Sequence, residues 1–201
     1  EVSNVNAIGL ASAVTISNGA QLTSKGTLNY IIGQPLAPAN LTITSGRVTG
    51  NAIINGNVSS NGGLQPGNTS IPPGGGTAEN PGQDMGSMRI NGNYTATGDG
   101  AYVGMFINID AALAVNTAAG TLINTQTGTF TSPLANGTAG TTHDFLDIVG
   151  SITGATPTTF ALASFTAAPV GGATNGNGIQ VIRVTGSNSG NDFRQGSSLT
   201  A

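Results

Sequence analysis

Ile54-Asn55-Gly56-Asn57-Val58 and Ile90-Asn91-Gly92-Asn93-Tyr94 share one pattern: the end of a strand, a corner of Asn and Gly, and the start of another strand. Val14-Thr15-Ile16-Ser17-Asn18-Gly19 returns in the same form as Leu41-Thr42-Ile43-Thr44-Ser45-Gly46. Gly and Asn tolerate the positive φ angles that sharp corners need. A strand–corner–strand unit that recurs along a chain predicts the coils of a parallel β-helix, or β-solenoid.

Short strand patterns dominate the remainder of the chain, and helical periodicity is nearly absent. Further strands are predicted at 28–31, 52–54, 88–90, 103–109, 146–149, 160–162 and 179–184. Asn-Gly pairs also form two-residue hairpins, so an antiparallel β-sandwich remains the alternative fold. The predicted fold class is therefore all-β, with a parallel β-helix favoured by the internal repetition.

The charge of the chain is low. Of 201 residues, 5 are basic and 8 are acidic, so charged residues make up 6%, against about 25% in a typical soluble domain. This composition argues against nucleic-acid binding and against binding to an anionic membrane surface. No cysteine is present, which excludes disulfides and thiolate metal sites. No apolar run approaches the ~20 residues of a membrane helix, so no membrane insertion is predicted.

Two regions differ from the repeating pattern. The segment from Pro66-Gly67 to Gly86 is rich in Pro and Gly, carries Glu79 and Asp84, and predicts a long surface loop that no strand passes through. Beyond it, aromatic residues become frequent, because all six Phe lie between 106 and 193. The second half should therefore bury more apolar area per residue and be locally more stable.

The candidate catalytic and metal-binding residues are few. His143 is the single histidine and lies beside Asp144 and near Asp147, as half of a triad or a metal ligand would. No Gly-x-Ser-x-Gly elbow occurs, and a zinc site normally needs three protein ligands. A polar loop before a strand is therefore the preferred interpretation of His143.

A pair of carboxylates drawn from Asp99, Asp110, Asp144 and Asp147 would resemble the sites of β-helix polysaccharide lyases and glycosidases. Such sites usually also have a groove lined by aromatic and basic side chains, and this chain has no Trp and only three Tyr. We therefore predict no enzyme activity, no catalytic residue, no cofactor and no metal ion. Chance matches to the glycosylation acceptor pattern begin at Asn40, Asn57, Asn68 and Asn93.

Three passages resemble the C-terminal passenger region of bacterial autotransporters (type V secretion), the pertactin-like or autochaperone region. Residues 63–68 followed by 88–94 resemble the family passage G-x-L-x-P-G-N … G-x-L-x-V-x-G-N-Y. Residues 144–154 resemble its D-x-L-x-V-x-G-x-x-x-G strand pair. Residues 177–186, with Ser189 and Phe193, resemble its G-I-x-V-I-x-V-x-G … F ending.

The resemblance implies a right-handed, single-stranded parallel β-helix with a C-terminal cap. It divides the chain into β-helix coils at 1–66, the Pro/Gly-rich loop at 67–86, the C-terminal β-helix with its autochaperone-like cap at 87–193, and a tail at 194–201. A linker and a membrane β-barrel translocator, the expected partner, would follow residue 201.

The implied function is structural. The segment would nucleate and cap the β-helix during export through the periplasm and outer membrane, and would display the passenger at the bacterial cell surface. The alternative is an adhesin-type binding module, in which the exposed ladders or residues 72–84 contact host surface molecules or sister passengers.

Overall fold

A computed structural model describes residues 4, 8–9, 11–23, 29–67, 76–77, 85–107, 116–117, 121–124, 128–131, 135–136, 143–164, 181–188 and 193–195. These residues form an all-β fold without a helix, built mainly from parallel strands in a curled sheet. The strands are β1 (Ala13–Ile16), β2 (Gln21–Leu22), β3 (Asn29–Ile32), β4 (Asn40–Ile43), β5 (Arg47–Ile54), β6 (Val58–Ser60), β7 (Gly63–Pro66), β8 (Gly76–Thr77), β9 (Ser87–Ile90), β10 (Tyr94–Ala96), β11 (Tyr102–Ile107), β12 (Asn116–Thr117), β13 (Thr121–Asn124), β14 (Gly128–Thr131), β15 (Ala135–Asn136), β16 (Phe145–Ile148), β17 (Ile152–Gly154), β18 (Thr158–Ser164), β19 (Ile182–Val184) and β20 (Phe193–Gln195).

Most of these strands lie in three parallel stacks. Stack one contains β1, β4, β6, β10 and β17; stack two contains β2, the first half of β5, β7, β11, β18 and β20; stack three contains β3, the second half of β5, β9, β16 and β19. From β1 to β7 the chain visits stacks one, two and three in that order and then begins again. The same order returns from β9 to β11 and from β16 to β19.

The repeats that were predicted from the sequence lie directly on one another. Val14, Thr15 and Ile16 of β1 pair in register with Leu41, Thr42 and Ile43 of β4. Ile54 pairs with Ile90, and Val58 pairs with Tyr94. The predicted recurrence is therefore confirmed at the level of single residues. The antiparallel alternative does not fit, since every strand pair within the three stacks is parallel.

The corner between stacks three and one depends on a column of glycines. The N–H of Gly150 donates to the carbonyl oxygen of Gly92 at 3.0 Å, and the N–H of Gly186 donates to that of Gly150 at 3.1 Å. A Cβ atom at Gly150 would lie 2.5 Å from the Gly92 carbonyl oxygen. Only glycine lets successive turns approach this closely.

The core is formed by alternate residues of all three stacks. Its members include Leu41 and Val58 from stack one, Val48 from stack two, and Ile54 and Leu146 from stack three. Alternation along each strand sends these side chains to the same side of the sheet, where burial removes their apolar surface from water.

Two tyrosines are fully buried in this core. The hydroxyl of Tyr30 donates to the carbonyl oxygen of Thr49 at 3.0 Å, and the hydroxyl of Tyr94 accepts a hydrogen bond from the hydroxyl of Thr158 at 3.2 Å. Burial raises the pKa of both phenols, so neither ionises near neutral pH.

Long connections occur where the chain passes from stack two to stack three. Strand β5 makes this passage without a break, bending at Gly50, where φ is +89°. Elsewhere the connection expands to residues 67–86, 108–144 and 165–181. By contrast, the passage from stack three to stack one takes the seven residues 33–39 once, between β3 and β4, and afterwards only the three-residue corners 55–57, 91–93 and 149–151. Insertions are therefore concentrated at one edge of the stacked sheet.

These connections correct two parts of the sequence analysis. The prediction that no strand runs through 67–86 is wrong at Gly76–Thr77, which form β8 and pair in parallel with Ala163 and Ser164 of β18. Backbone N–H and C=O groups of Gly and Thr can join a ladder even within a segment that is rich in proline. The sequence analysis also missed the strands within 108–144, where β12 pairs with β15 and β13 with β14, both antiparallel.

Candidate functional site

Three charged side chains form a ladder across the outer side of stack three. Asp147 lies on β16, and its neighbours in register are Arg89 on β9 and Arg183 on β19. Arg183 binds the carboxylate with two short bonds, Nε to Oδ1 at 2.8 Å and Nη2 to Oδ2 at 2.7 Å. Arg89 contacts Oδ2 through Nη1 at 3.3 Å. We call these residues the Arg–Asp–Arg ladder.

The ladder has more positive than negative charge. The Asp147 side chain is fully buried, whereas those of Arg89 and Arg183 are 23% and 25% exposed. A bidentate guanidinium–carboxylate pair is the stronger geometry, so Arg183 accounts for most of the neutralisation of Asp147. Arg89 is left as a partly exposed cation with one longer contact to an acid that is already paired.

A shallow depression of about 460 Å³ lies beside Arg89 on the same surface. Three of its lining residues are aliphatic and four are polar or charged: Ile31, Pro35 and Ile53, and Gln34, Asn55, Asn91 and Arg89. Ile31, Ile53 and Arg89 are register neighbours on β3, β5 and β9, so the depression follows the stacking direction. We call it the Arg89 depression.

Asp144 joins the ends of two inserted connections. Its Oδ1 accepts the N–H of Gly86 at 2.9 Å, and its Oδ2 accepts the N–H of Phe106 at 2.9 Å. Gly86 ends the first long connection, Phe106 lies near the start of the second, and Asp144 ends the second. Burial raises the pKa of Asp144 well above its usual range, and the two backbone hydrogen bonds oppose part of that rise.

The structure corrects the interpretation of His143 as part of a polar loop. His143 and Asp144 are both fully buried, and His143 forms a backbone bridge with Ile107. The Asp144 carboxylate binds main-chain N–H groups with both oxygens, as a structural carboxylate does. Its role in the described fold is to fix the backbone at the junction of the insertions.

The other predicted acids that the structure describes have separate surroundings. Asp99 lies in an exposed turn between β10 and β11, and Asp147 belongs to the ladder. Asp110, Glu79 and Asp84 lie outside the described residues. Within the described ranges, no group of three or more His, Asp or Glu side chains is placed to bind a metal ion.

The asparagines of the acceptor pattern act as corner residues. The Asn57 Oδ1 accepts the N–H of Asn93 at 2.9 Å, and the Asn93 Oδ1 accepts the N–H of Ser151 at 2.9 Å. The hydroxyls of Ser151 and Ser187 continue this column at 3.0 Å. Asn40 joins at its other end, where its Oδ1 accepts the N–H of Asn57 at 3.4 Å. Asn68 lies outside the described residues.

The sequence analysis did not find the Arg–Asp–Arg ladder, although a signal for it exists. Each of Arg89, Asp147 and Arg183 lies three positions before a corner glycine: Gly92, Gly150 and Gly186. Aligning the chain on those glycines places the three charges in one column. Opposite charges on neighbouring strands of a stack are a favourable arrangement.

The chain matches no family model, no curated protein and no solved structure. In the part of the chain that the structure describes, no helix is both long and apolar enough to cross a membrane.

Proposed function

We propose that this chain is a structural segment of an exported autotransporter passenger: a right-handed parallel β-helix whose C-terminal part nucleates and caps the fold. The observation that carries the proposal is the cyclic order of the three parallel stacks. A chain that returns to the same stacks in the same order adds each turn to an existing edge, as repeat proteins do. The activity proposed is thus support and display at the bacterial cell surface.

The passages that resemble the autotransporter family support the proposal through their positions. Residues 88–90, 145–148 and 182–184 form adjacent strands of stack three. The corner glycines Gly92, Gly150 and Gly186 follow them in one column. Passages that lie far apart in the sequence therefore form consecutive turns, which is the arrangement expected if the resemblance reflects a common β-helix.

The second half contains most of the large aromatic side chains that the described core buries. Tyr94, Tyr102, Phe106 and Phe145 are buried there, and Tyr30 is buried in the first half. A locally stable C-terminal unit gives later turns a template and avoids the closure of long loops before any contact forms. This supports nucleation from the C-terminal side during export.

A surface-display experiment tests this function. The chain is placed between an epitope tag and an autotransporter β-barrel, and folded passenger on the cell surface is measured by its resistance to trypsin. Leu146→Asp, in a buried position of β16, should greatly reduce folded surface passenger. The matched substitution Leu41→Asp, buried in β4, should leave a protected C-terminal fragment. Equal loss in both variants, with no protected fragment, would contradict nucleation from the C-terminal half.

A further inference from the structure

We propose that the Arg89 depression is a binding site for a small carboxylate ligand with an aliphatic body. This function goes beyond mechanical support, and it depends on the geometry of stack three and of the connections that follow β3, β5 and β9. At about 460 Å³, the depression lies within the 300–1,000 Å³ range of small-molecule sites. Such sites combine apolar side chains with a few polar groups, as Ile31, Pro35 and Ile53 are combined here with Arg89 and three amide side chains.

The charge of the depression selects an anion. Among the described residues that line it, Arg89 is the one charged residue and none is an acid. Asp147, the acid nearest to Arg89 in the ladder, already has two short bonds to Arg183. Guanidinium groups match carboxylates in shape and hydrogen-bond direction, so a ligand carboxylate could occupy the exposed side of Arg89.

The polar groups around Arg89 orient its guanidinium. Its Nε donates to the Asn91 Oδ1 at 2.6 Å, and the Asn91 Nδ2 donates to the Asn55 Oδ1 at 2.8 Å. The Asn55 Nδ2 in turn donates to the carbonyl oxygen of Gly33 at 3.2 Å. This chain of bonds crosses three turns and orients Arg89 before any ligand arrives, which lowers the entropy cost of binding.

The alternation of inward and outward residues along the strands does not explain why aliphatic side chains line this outer depression. Ile31 on β3 and Ile53 on β5 face outward and are half-buried. At the same register position, the next two strands of stack three have Arg89 and Asp147. Residues 33–39 replace the three-residue corner of later turns with a longer connection, which brings Pro35 to the depression. Leu36, at 99% exposure, lies next to Pro35 on this connection. An apolar ligand body would cover the aliphatic surface that the connection and the two isoleucines leave accessible.

Calorimetric titration of the full chain tests the proposal, with hexanoate as the probe. Hexanoate should bind one site per chain in the millimolar range, while acetate, hexanamide and inorganic phosphate should each bind at least about tenfold more weakly. Acetate lacks the aliphatic body, hexanamide lacks the charge, and phosphate supplies charge without an apolar part. If phosphate or acetate bound as tightly as hexanoate, the site would not select a carboxylate with an aliphatic body, and the proposal would be overturned.

Two variants and one control locate the site. Arg89→Gln and Ile53→Ser should each weaken hexanoate binding at least about tenfold, the first by removing charge and the second by removing apolar contact. Arg47→Gln changes a cation of stack two, outside the depression, and should leave binding unchanged. If Arg89→Gln does not fold, two measurements still locate the site. They are the affinity of Ile53→Ser for hexanoate, and the NMR shifts that hexanoate causes at the amides of Ile31 and Asn91 in the unmodified chain. The site would be refuted if neither variant weakened hexanoate binding, or if the hexanoate-induced amide shifts fell on residues outside the Arg89 depression.

Discussion

At the scale of single residues, the close approach of successive turns restricts the corner positions. Gly150 illustrates this, since an added Cβ would lie 2.4 Å from the Asn93 Oδ1 and 2.5 Å from the Gly92 carbonyl oxygen. The second of these neighbours is backbone and cannot rotate away. Overpacking at such a site typically costs 1–3 kcal/mol.

We therefore expect Gly150→Ala to lower the free energy of unfolding by about 2–3 kcal/mol, measured by urea denaturation. Gly19→Ala is the matched control, because a Cβ there meets no atom within 4 Å and only its φ of +71° is unfavourable. That control should lose only about 1–2 kcal/mol. A larger loss at Gly19 than at Gly150 would show that backbone strain, and not the spacing between turns, limits the corners.

A second residue-scale prediction concerns Asp144 and pH. Burial raises its folded pKa above the unfolded value, so between those two values the folded state binds more protons than the unfolded state. Stability from this group therefore falls as pH rises through that window. Relative to Asp144→Asn, the unmodified chain should gain unfolding free energy as the pH is lowered from neutral toward about 4, near the unfolded pKa.

Urea titrations of both proteins over this pH range measure that difference. Using the difference removes the contribution of the other acids, which the two proteins share. A difference that stays flat, or that increases with pH, would show that the backbone hydrogen bonds from Gly86 and Phe106 outweigh burial at Asp144.

At the scale of elements, the Arg–Asp–Arg ladder couples β9, β16 and β19. Asp147→Asn removes the buried charge and leaves two arginines facing each other, so we expect a loss of about 1–3 kcal/mol. The low end allows for the partial exposure of both arginines to water. Arg183→Gln should cost more than Arg89→Gln, because Arg183 makes the bidentate contact.

Urea unfolding of the three single variants ranks these contributions, and a double-mutant cycle between positions 147 and 183 isolates their coupling. Arg47→Gln is the control, because it removes an arginine of stack two and leaves all three residues of the ladder in place. If Arg89→Gln proves more destabilising than Arg183→Gln, the bidentate contact between Arg183 and Asp147 is not the stronger of the two ion pairs, which would contradict this prediction.

Some elements could be predicted from the sequence and others could not. The Asn-Gly corners and alternating apolar positions were sufficient to predict strands that pair Val14 with Leu41 and Ile54 with Ile90, since corner chemistry and side-chain period are local properties. The strands β8 and β12–β15 were missed, because short Gly- and Thr-containing segments form strands only when a partner lies beside them. The Arg–Asp–Arg ladder was missed because its partners are separated by 36 and 58 residues in sequence.

At the scale of the whole molecule, we expect a gradient of stability along the stacks. The second half buries more large aromatics among the described residues, and it contains the Asp147 ion pairs and the Asp144 hydrogen bonds. In the β-helix that we propose, neighbouring turns would stabilise one another, so unfolding would begin at the weaker end and proceed turn by turn. In a passenger that folds as it emerges, the stable end would fold first.

Hydrogen–deuterium exchange of the intact chain in increasing urea, read by mass spectrometry, tests this claim most directly. We expect amides of β10, β11 and β16 to stay protected at urea concentrations where those of β1, β4 and β6 already exchange. Protection that is lost at the same urea concentration throughout, or lost first from β10, β11 and β16, would contradict a C-terminal nucleus.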